Sequence, residues 1–140
     1  MSGRVFFDSN VLIYAFGESE QVKATVAQEL LLEGGALQNA VISYQVLQEC
    51  VNVALKKFKP LLSPDEAKAF LDEVVADLEG VPWSLDLLKI GLELKQRFQL
   101  AWYDSLIVAA ALEAKCDTLY TEDLQHGQVI DGLTIVNPFL

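Results

Sequence analysis

Apolar residues fall into two kinds of pattern along the chain. Short unbroken runs at Arg4 to Phe7, Ala40-Val41-Ile42, Thr118-Leu119-Tyr120-Thr121 and Leu133-Thr134-Ile135-Val136 read as strands buried on both faces. Val81-Pro82-Trp83 is a further brief strand by the same reading. Between the runs the spacing is helical. Val11, Leu12, Tyr14 and Ala15 begin one helix, and a second extends from Gln21 to Leu32, where Gly34-Gly35 is expected to stop it. Ser43 caps a third helix carrying Val46, Leu47, Cys50, Val51, Val53, Ala54 and Leu55. In Ser63-Pro64-Asp65-Glu66, Ser63 caps, Pro64 suits the first turn and Glu66 completes a capping box. That helix carries Ala67, Phe70, Leu71, Val74, Val75 and Leu78, and is expected to end near Gly80. Ser84 caps the next, through Leu88, Leu92, Leu94 and Phe98. Tyr103 to Ala114 is almost wholly apolar, so this helix should lie inside, against a sheet.

Strands alternating with helices predict a single α/β domain over residues 1–140, with a parallel sheet covered on both faces. Ligands of such sheets bind beyond the carboxyl ends of the strands. Chemistry is therefore expected just after a strand.

Composition adds limits. No apolar run approaches the roughly 20 residues of a membrane span. The opening Met1-Ser2-Gly3-Arg4-Val5-Phe6-Phe7-Asp8 is too short in its apolar part for a signal peptide, so a cytoplasmic protein is expected. Cys50 and Cys116 lie in apolar helical patterns, and His126 is the single histidine. These argue against structural zinc and for reduced core thiols. Ten basic and 20 acidic residues give a formal charge of −10. Broad nucleic-acid binding normally rests on a basic surface, so a nucleic-acid function here needs a bound cation or a local basic patch. Lys56, Lys57 and Lys59 form the one basic cluster, and Lys56 shares a helix face with Glu49 about two turns away. Lys56 and Lys57 are thus candidates for an RNA phosphate; the alternative is a solvated helix end.

Most acids have ordinary roles. Asp65, Glu66 and Asp86 sit in first turns. Asp72, Glu73, Asp77, Glu79, Glu18, Glu20, Glu29 and Glu33 read as solvated faces. Four acids do not fit. Asp8 sits where the first strand ends, Glu49 lies beside Cys50 and Val51, Asp104 opens the most apolar helix, and Asp123 follows the fourth strand. Each has an ordinary alternative: a turn or cap for Asp8 and Asp123, an N-cap for Asp104, a solvated face for Glu49. Gathered together, they need a divalent cation or protons, and an all-oxygen set favours magnesium or manganese over zinc or copper. Such a site suits phosphodiester cleavage by a metal-activated water, with no histidine or serine nucleophile.

At these residues a family pattern is visible. Phe7-Asp8-Ser9-Asn10-Val11-Leu12, Glu49 in Ser43-Tyr44-Gln45-Val46-Leu47-Gln48-Glu49, Tyr103-Asp104-Ser105-Leu106-Ile107-Val108-Ala109-Ala110-Ala111, Leu119-Tyr120-Thr121-Glu122-Asp123 and Val136-Asn137-Pro138-Phe139 resemble, in order, the motifs of PIN-domain nucleases. The match spans nearly the whole chain. The resemblance implies a three-layer α/β/α sandwich around a parallel sheet of four to five short strands, Mg2+- or Mn2+-dependent endoribonuclease activity, and a homodimer. At this length the chain looks most like VapC-type toxins, held inactive by a cognate antitoxin. By the resemblance, Asp8, Glu49 and Asp104 are the metal-binding acids, and Asp123 adds a ligand directly or through water. Asn10, Ser105 and Thr121 match polar positions that orient waters or carboxylates. Glu122 and Asp123 are adjacent and either could face inward; Asp123 is preferred. Two readings from other classes are a catalytically silent acidic binding module and a phospho-acceptor signalling domain. The second usually needs a lysine after a late strand, where this chain has Asn137-Pro138.

Overall fold

The computed structural model describes residues 3–17 and 20–140, and a six-stranded sheet forms its middle layer. The strands are β1 (Val5–Phe7), β2 (Ala40–Ser43), β3 (Glu79–Val81), β4 (Thr118–Tyr120), β5 (Val129–Ile130) and β6 (Leu133–Val136), in spatial order β3-β2-β1-β4-β6-β5. All neighbours pair in parallel except β5 with β6, which form an antiparallel hairpin. The sheet thus has one strand more than the four to five expected. Val129–Ile130 is too short to carry a period of its own.

Among the described residues six helices cover the sheet: α1 (Ser9–Phe16), α2 (Gln21–Leu37), α3 (Tyr44–Lys56), α4 (Pro64–Val75), α5 (Leu85–Phe98) and α6 (Trp102–Glu113). Parallel crossovers are right-handed. The steps β1 to β2 to β3 move one way across the sheet, so α1 to α4 share a face; α1 packs on α2 and α3, and α3 on α4. The step from β3 to β4 returns past β1 and puts α5 and α6 together on the other face. The three-layer α/β/α arrangement follows. Phe6, Phe7, Val41, Ile42, Leu119 and Ile135 are fully buried at its centre. Each such side chain contributes roughly 1.5–3 kcal/mol relative to exposure. Every residue of α6 from Ser105 to Ala111 is buried, because the sheet covers one side and α5 the other.

Local chemistry sets several boundaries. Ser43, Ser63 and Ser84 accept hydrogen bonds from Val46, Glu66 and Leu87, and Glu66 closes the capping box on Ser63. Elsewhere tertiary contacts override the local signal. Helix α2 does not stop at Gly34-Gly35 but runs on to Leu37, closing at Gln38 in the left-handed region (φ 55°). A Cβ at Gly34 would lie 2.8 Å from Cβ of Ala40, so the glycine lets α2 pass close over β2. Helix α4 ends at Val75, short of Gly80, and β3 begins two residues earlier than expected. Pro82, with no N–H to give, lies just past its end. Trp83 is 41% exposed and is not a core residue. Both cysteines are buried free thiols, though Cys116 lies beyond the end of α6 rather than in a helix. The acids read as solvated are exposed as expected; Glu18 lies outside the described residues, as do Met1 and Ser2. No helix among the described residues is long and apolar enough to cross a membrane.

Candidate active site

The sheet order reverses between β1 and β4, which opens a crevice beyond the carboxyl ends of those strands. Asp8 leaves β1 at that point. Its N–H donates to the Tyr120 carbonyl at 3.0 Å, which continues the ladder to β4. Its side chain is 4% exposed and caps α1: Oδ1 accepts from the Ser9 N–H at 2.7 Å. Oδ2 accepts from the Thr121 hydroxyl at 2.8 Å, just past the end of β4. The ordinary cap role and the crevice position therefore coincide in one residue.

Thr121 is buried and acts as a hub. Its Oγ1 also accepts from the Asp123 N–H at 3.0 Å and the Asn10 amide at 3.3 Å. The Asn10 amide donates as well to Asp123 Oδ2 at 3.0 Å. Glu122 turns the other way, accepting from the Tyr14 hydroxyl at 2.6 Å and from Lys23 at 3.0 Å. Of the two adjacent acids, Asp123 is the one beside Asp8.

Glu49 stands half-buried in the second turn of α3, and Asp104 half-buried in the first turn of α6. Ala101, not Asp104, is the N-cap residue there, so capping does not account for Asp104. Asp8, Glu49 and Asp104 each feel the charge of a neighbouring acid. Burial pushes the Asp8 carboxyl up to about 7, against the pull of Thr121 and Ser9, and Glu49 and Asp123 add to the rise. Burial raises Glu49 too, with the Ser9 hydroxyl opposing and Asp104 and Asp123 adding. Burial and then Asp123 raise Asp104. Among the described residues, no three acid, histidine or cysteine side chains are drawn tightly enough to form a ready-made metal cage. The cluster is a looser set of carboxylates, the kind of sparse set that suffices for an ion that keeps several of its waters.

Two buried oxygens test the fit of a cation. Glu49 Oε1 and Asn10 Oδ1 are buried without a hydrogen-bond partner. Buried polar atoms are nearly always satisfied, and an orphan needs an explanation. Both belong to a set of four carboxylates and an amide that could offer oxygens to a cation; the Cys50 thiol lies nearby, 3.9 Å from the Ser9 carbonyl, but burial pushes its pKa up and keeps it from being a thiolate ligand. A set of oxygens is the chemistry of a hard divalent ion, and the residues fit it.

Other expected residues stand apart. The Ser105 hydroxyl donates to the Trp102 carbonyl at 2.6 Å, so it stays within its own helix turn. Lys56 and Lys57 are exposed at the end of α3, which starts at the site's edge of the sheet and runs away from it. His126 is an exposed loop residue whose Nδ1 accepts from the Asn137 N–H at 3.0 Å. Trp102 packs beside Gly91 of α5.

Two site neighbours escaped the sequence reading. Ser9 has its hydroxyl 3.4 Å from Asp8 Oδ1 and also acts on Glu49. The buried Gln45, one turn before Glu49, donates to the Tyr103 carbonyl at 3.1 Å and ties α3 to the acid-bearing start of α6. Its place one turn before Glu49, beside the apolar stripe of Val46, Cys50 and Ala54, is the signal that could have found it.

Known proteins agree with this architecture. A structure of a toxin–antitoxin complex from Klebsiella pneumoniae is similar over 96% of this chain and 97% of that one, at 21% identity and a TM-score of 0.67. VapC20 of Mycobacterium tuberculosis, described as a toxin that cleaves the sarcin–ricin loop, matches over 85% and 91% at 14% identity and a TM-score of 0.66. A DNA-bound VapBC from Salmonella typhimurium matches over 94% and 96% at 18% identity and a TM-score of 0.67. No curated protein matches the chain by sequence. The family model for the PIN domain matches residues 5–130, from β1 to the end of β5. PIN-domain proteins are ribonucleases that generally use divalent metal ions. With nine-tenths of its length matched by that model and all four acids inside the match, the chain belongs to the PIN-domain family.

Proposed function

We propose that the chain is a Mg2+- or Mn2+-dependent endoribonuclease and the toxin of a toxin–antitoxin pair. One observation carries the reading. Asp8, buried at the switch point of the sheet, is held from both sides by Ser9 and Thr121 and flanked by Glu49 and Asp123. Packing alone gives no reason to bury a carboxylate among carboxylates. Two such charges about 4 Å apart repel by about 4 kcal/mol at an effective dielectric near 20.

In this reading Asp8, Glu49 and Asp104 hold the ion, and Asp123 holds it directly or through water. A bound divalent ion lowers the pKa of its water and offsets charge on the phosphoryl group. The chain's own residues supply orientation. Ser9 and Thr121 fix the two oxygens of Asp8, and the Asn10 amide holds Asp123. His126 is occupied in its loop and takes no part.

Partners are proposed on the same basis. The Klebsiella and Salmonella structures are toxin–antitoxin assemblies, which favours a cognate antitoxin here. An apolar groove of about 540 Å³ between α1, α2 and α4 contains none of the four acids. Leu12, Phe16, Leu31 and Val74 line it, with Glu73 and Asp77 at its side. It suits an amphipathic, basic segment of such a partner. A second apolar surface along α3, with Tyr44, Leu47, Val51, Leu55 and Trp83 and no charged lining residue, suits the homodimer. The proposed location is the cytoplasm.

Cleavage of a mixed RNA pool tests the reading. Activity should require Mg2+ or Mn2+, vanish with EDTA, and fall at least about 100-fold in Asp8→Asn and in Asp104→Asn with melting preserved. Undiminished cleavage by both folded variants would remove the assignment.

A further inference from the structure

We propose that Lys23, Tyr14 and Glu122 form a clamp that positions Asp123 in the carboxylate cluster and keeps a fifth acid out of it. The inference rests on the metal-dependent reading above.

The clamp starts from a choice forced on the backbone. Glu122 and Asp123 are consecutive at the point where the chain leaves β4, so holding one fixes where the other goes. Helix α1 reads both. Asn10 and Tyr14 are four residues apart and share a helix face. Asn10 takes Asp123 at 3.0 Å, and Tyr14 takes Glu122 at 2.6 Å. A slip of one residue in the segment after β4 would exchange the two acids.

Lys23 of α2 locks that choice. Its ammonium donates to Glu122 Oε1 at 3.0 Å and to the Tyr14 hydroxyl at 3.2 Å, which in turn donates to Glu122 Oε2. The same ammonium lies 4.8 Å from the centre of the Tyr14 ring and 5.6 Å from that of Phe139. Those two rings meet edge to face at 5.0 Å. Helices α1 and α2 thus converge on the Glu122 carboxylate, and Phe139 packs against the two side chains that hold it. The Tyr14 hydroxyl on the Glu122 carboxylate, at 2.6 Å, has the short length of a strong charge-assisted hydrogen bond. The side chains of Lys23 and Glu122 keep 34% and 23% exposure, and ion pairs at that level contribute little to stability. Positioning, rather than folding free energy, is what the arrangement offers. Lys23, Tyr14 and Glu122 are positioning residues; none of them touches substrate.

Calorimetric titration of the full metal-free chain with Mn2+ tests the clamp, because two accounts give opposite signs for Lys23→Met. If Lys23 acted through its charge alone, removing a cation near the carboxylates would tighten Mn2+ binding. As a clamp, its loss should weaken Mn2+ about tenfold, the usual scale for groups that orient metal ligands. Lys23→Arg should restore most of the affinity, and melting in EDTA should stay close to wild type. Tyr14→Phe keeps the ring and removes only the hydroxyl; it should weaken Mn2+ in the same direction by a smaller factor, and it decides the matter if Lys23→Met does not fold. Affinity unchanged or higher in the deciding variant overturns the clamp and leaves the metal-site reading standing. A wild-type chain that binds no Mn2+ overturns both.

Discussion

Asp8 carries the largest electrostatic cost of any carboxylate in the site. Its pKa of about 7 exceeds its ordinary 3.8 because burial outweighs two hydrogen bonds that favour the anion. A carboxyl with a raised folded pKa binds its proton more tightly in the native state. Its favourable contribution is complete below about pH 4 and is lost as pH rises through about 7. Each unit of separation is worth about 1.4 kcal/mol, so the loss is a few kcal/mol at most. Metal-free wild type should therefore lose melting temperature between about pH 5 and pH 8, and Asp8→Asn should lose much less. At the upper pH the variant should melt no lower than wild type. Thermal melts of both proteins in EDTA at the two values check this. Parallel loss in wild type and variant would mean that Asp8 is not the group responsible. The same residue shows what sequence could reveal of the site. Asp8, Glu49 and Asp104 stand out in the sequence because each sets a charge in an apolar pattern, and Asp123 because it follows a strand. Ser9 does not, since a serine after a capping aspartate looks like any first-turn residue. Lys23 and Glu122 meet across 99 residues of chain, and no local period encodes such a pairing.

Among the elements, the serine-capped helix starts and the ends of α5 and α6 were legible, whereas the ends of α2 and α4 were not. An N-cap is local: Ser63 and Ser84 satisfy an N–H three residues on, whatever the rest of the fold does. The end of α2 is a tertiary event. Gly34-Gly35 resembles a stop, yet Gly34 is buried where α2 crosses Ala40 and Phe7. Two helical glycines separate propensity from packing. Alanine is favoured over glycine in a helix by about 1 kcal/mol. At Gly34 the added Cβ would meet Cβ of Ala40, in a strand that cannot move aside, at 2.8 Å. At Gly91 of α5 it would meet the tip of Leu106, also at 2.8 Å, which can rotate away. Gly34→Ala should therefore destabilise by roughly 1–3 kcal/mol, because overpacking outweighs propensity. Gly91→Ala should be close to neutral. Urea unfolding of the two variants measures the difference. Equal stability would show that the contact between α2 and β2 is looser than its geometry implies.

For the whole molecule, the charge of −10 sets the terms on which RNA can approach. Proteins that hold nucleic acid through lysine and arginine release counterions, and their affinity falls steeply with salt, by about 0.9 in log K per phosphate contact for each decade. Lys23, which approaches the segment carrying Asp123, is already engaged with Glu122. Lys56 and Lys57 lie at the far end of α3. An acidic surface repels a phosphate chain at long range, and salt screens that repulsion, with a Debye length near 10 Å at about 0.1 M. The salt response should thus depart from the usual sign. At a fixed, saturating Mn2+ concentration, KM for a short single-stranded RNA should stay level or fall as KCl rises from about 50 to about 300 mM. Steady-state cleavage across that range is the measurement. Lys56→Ala together with Lys57→Ala should leave the curve unchanged. If KM instead climbs steeply and the double variant flattens it, the lysines at the end of α3 hold the RNA, and the site draws its substrate through a basic track rather than through its metal.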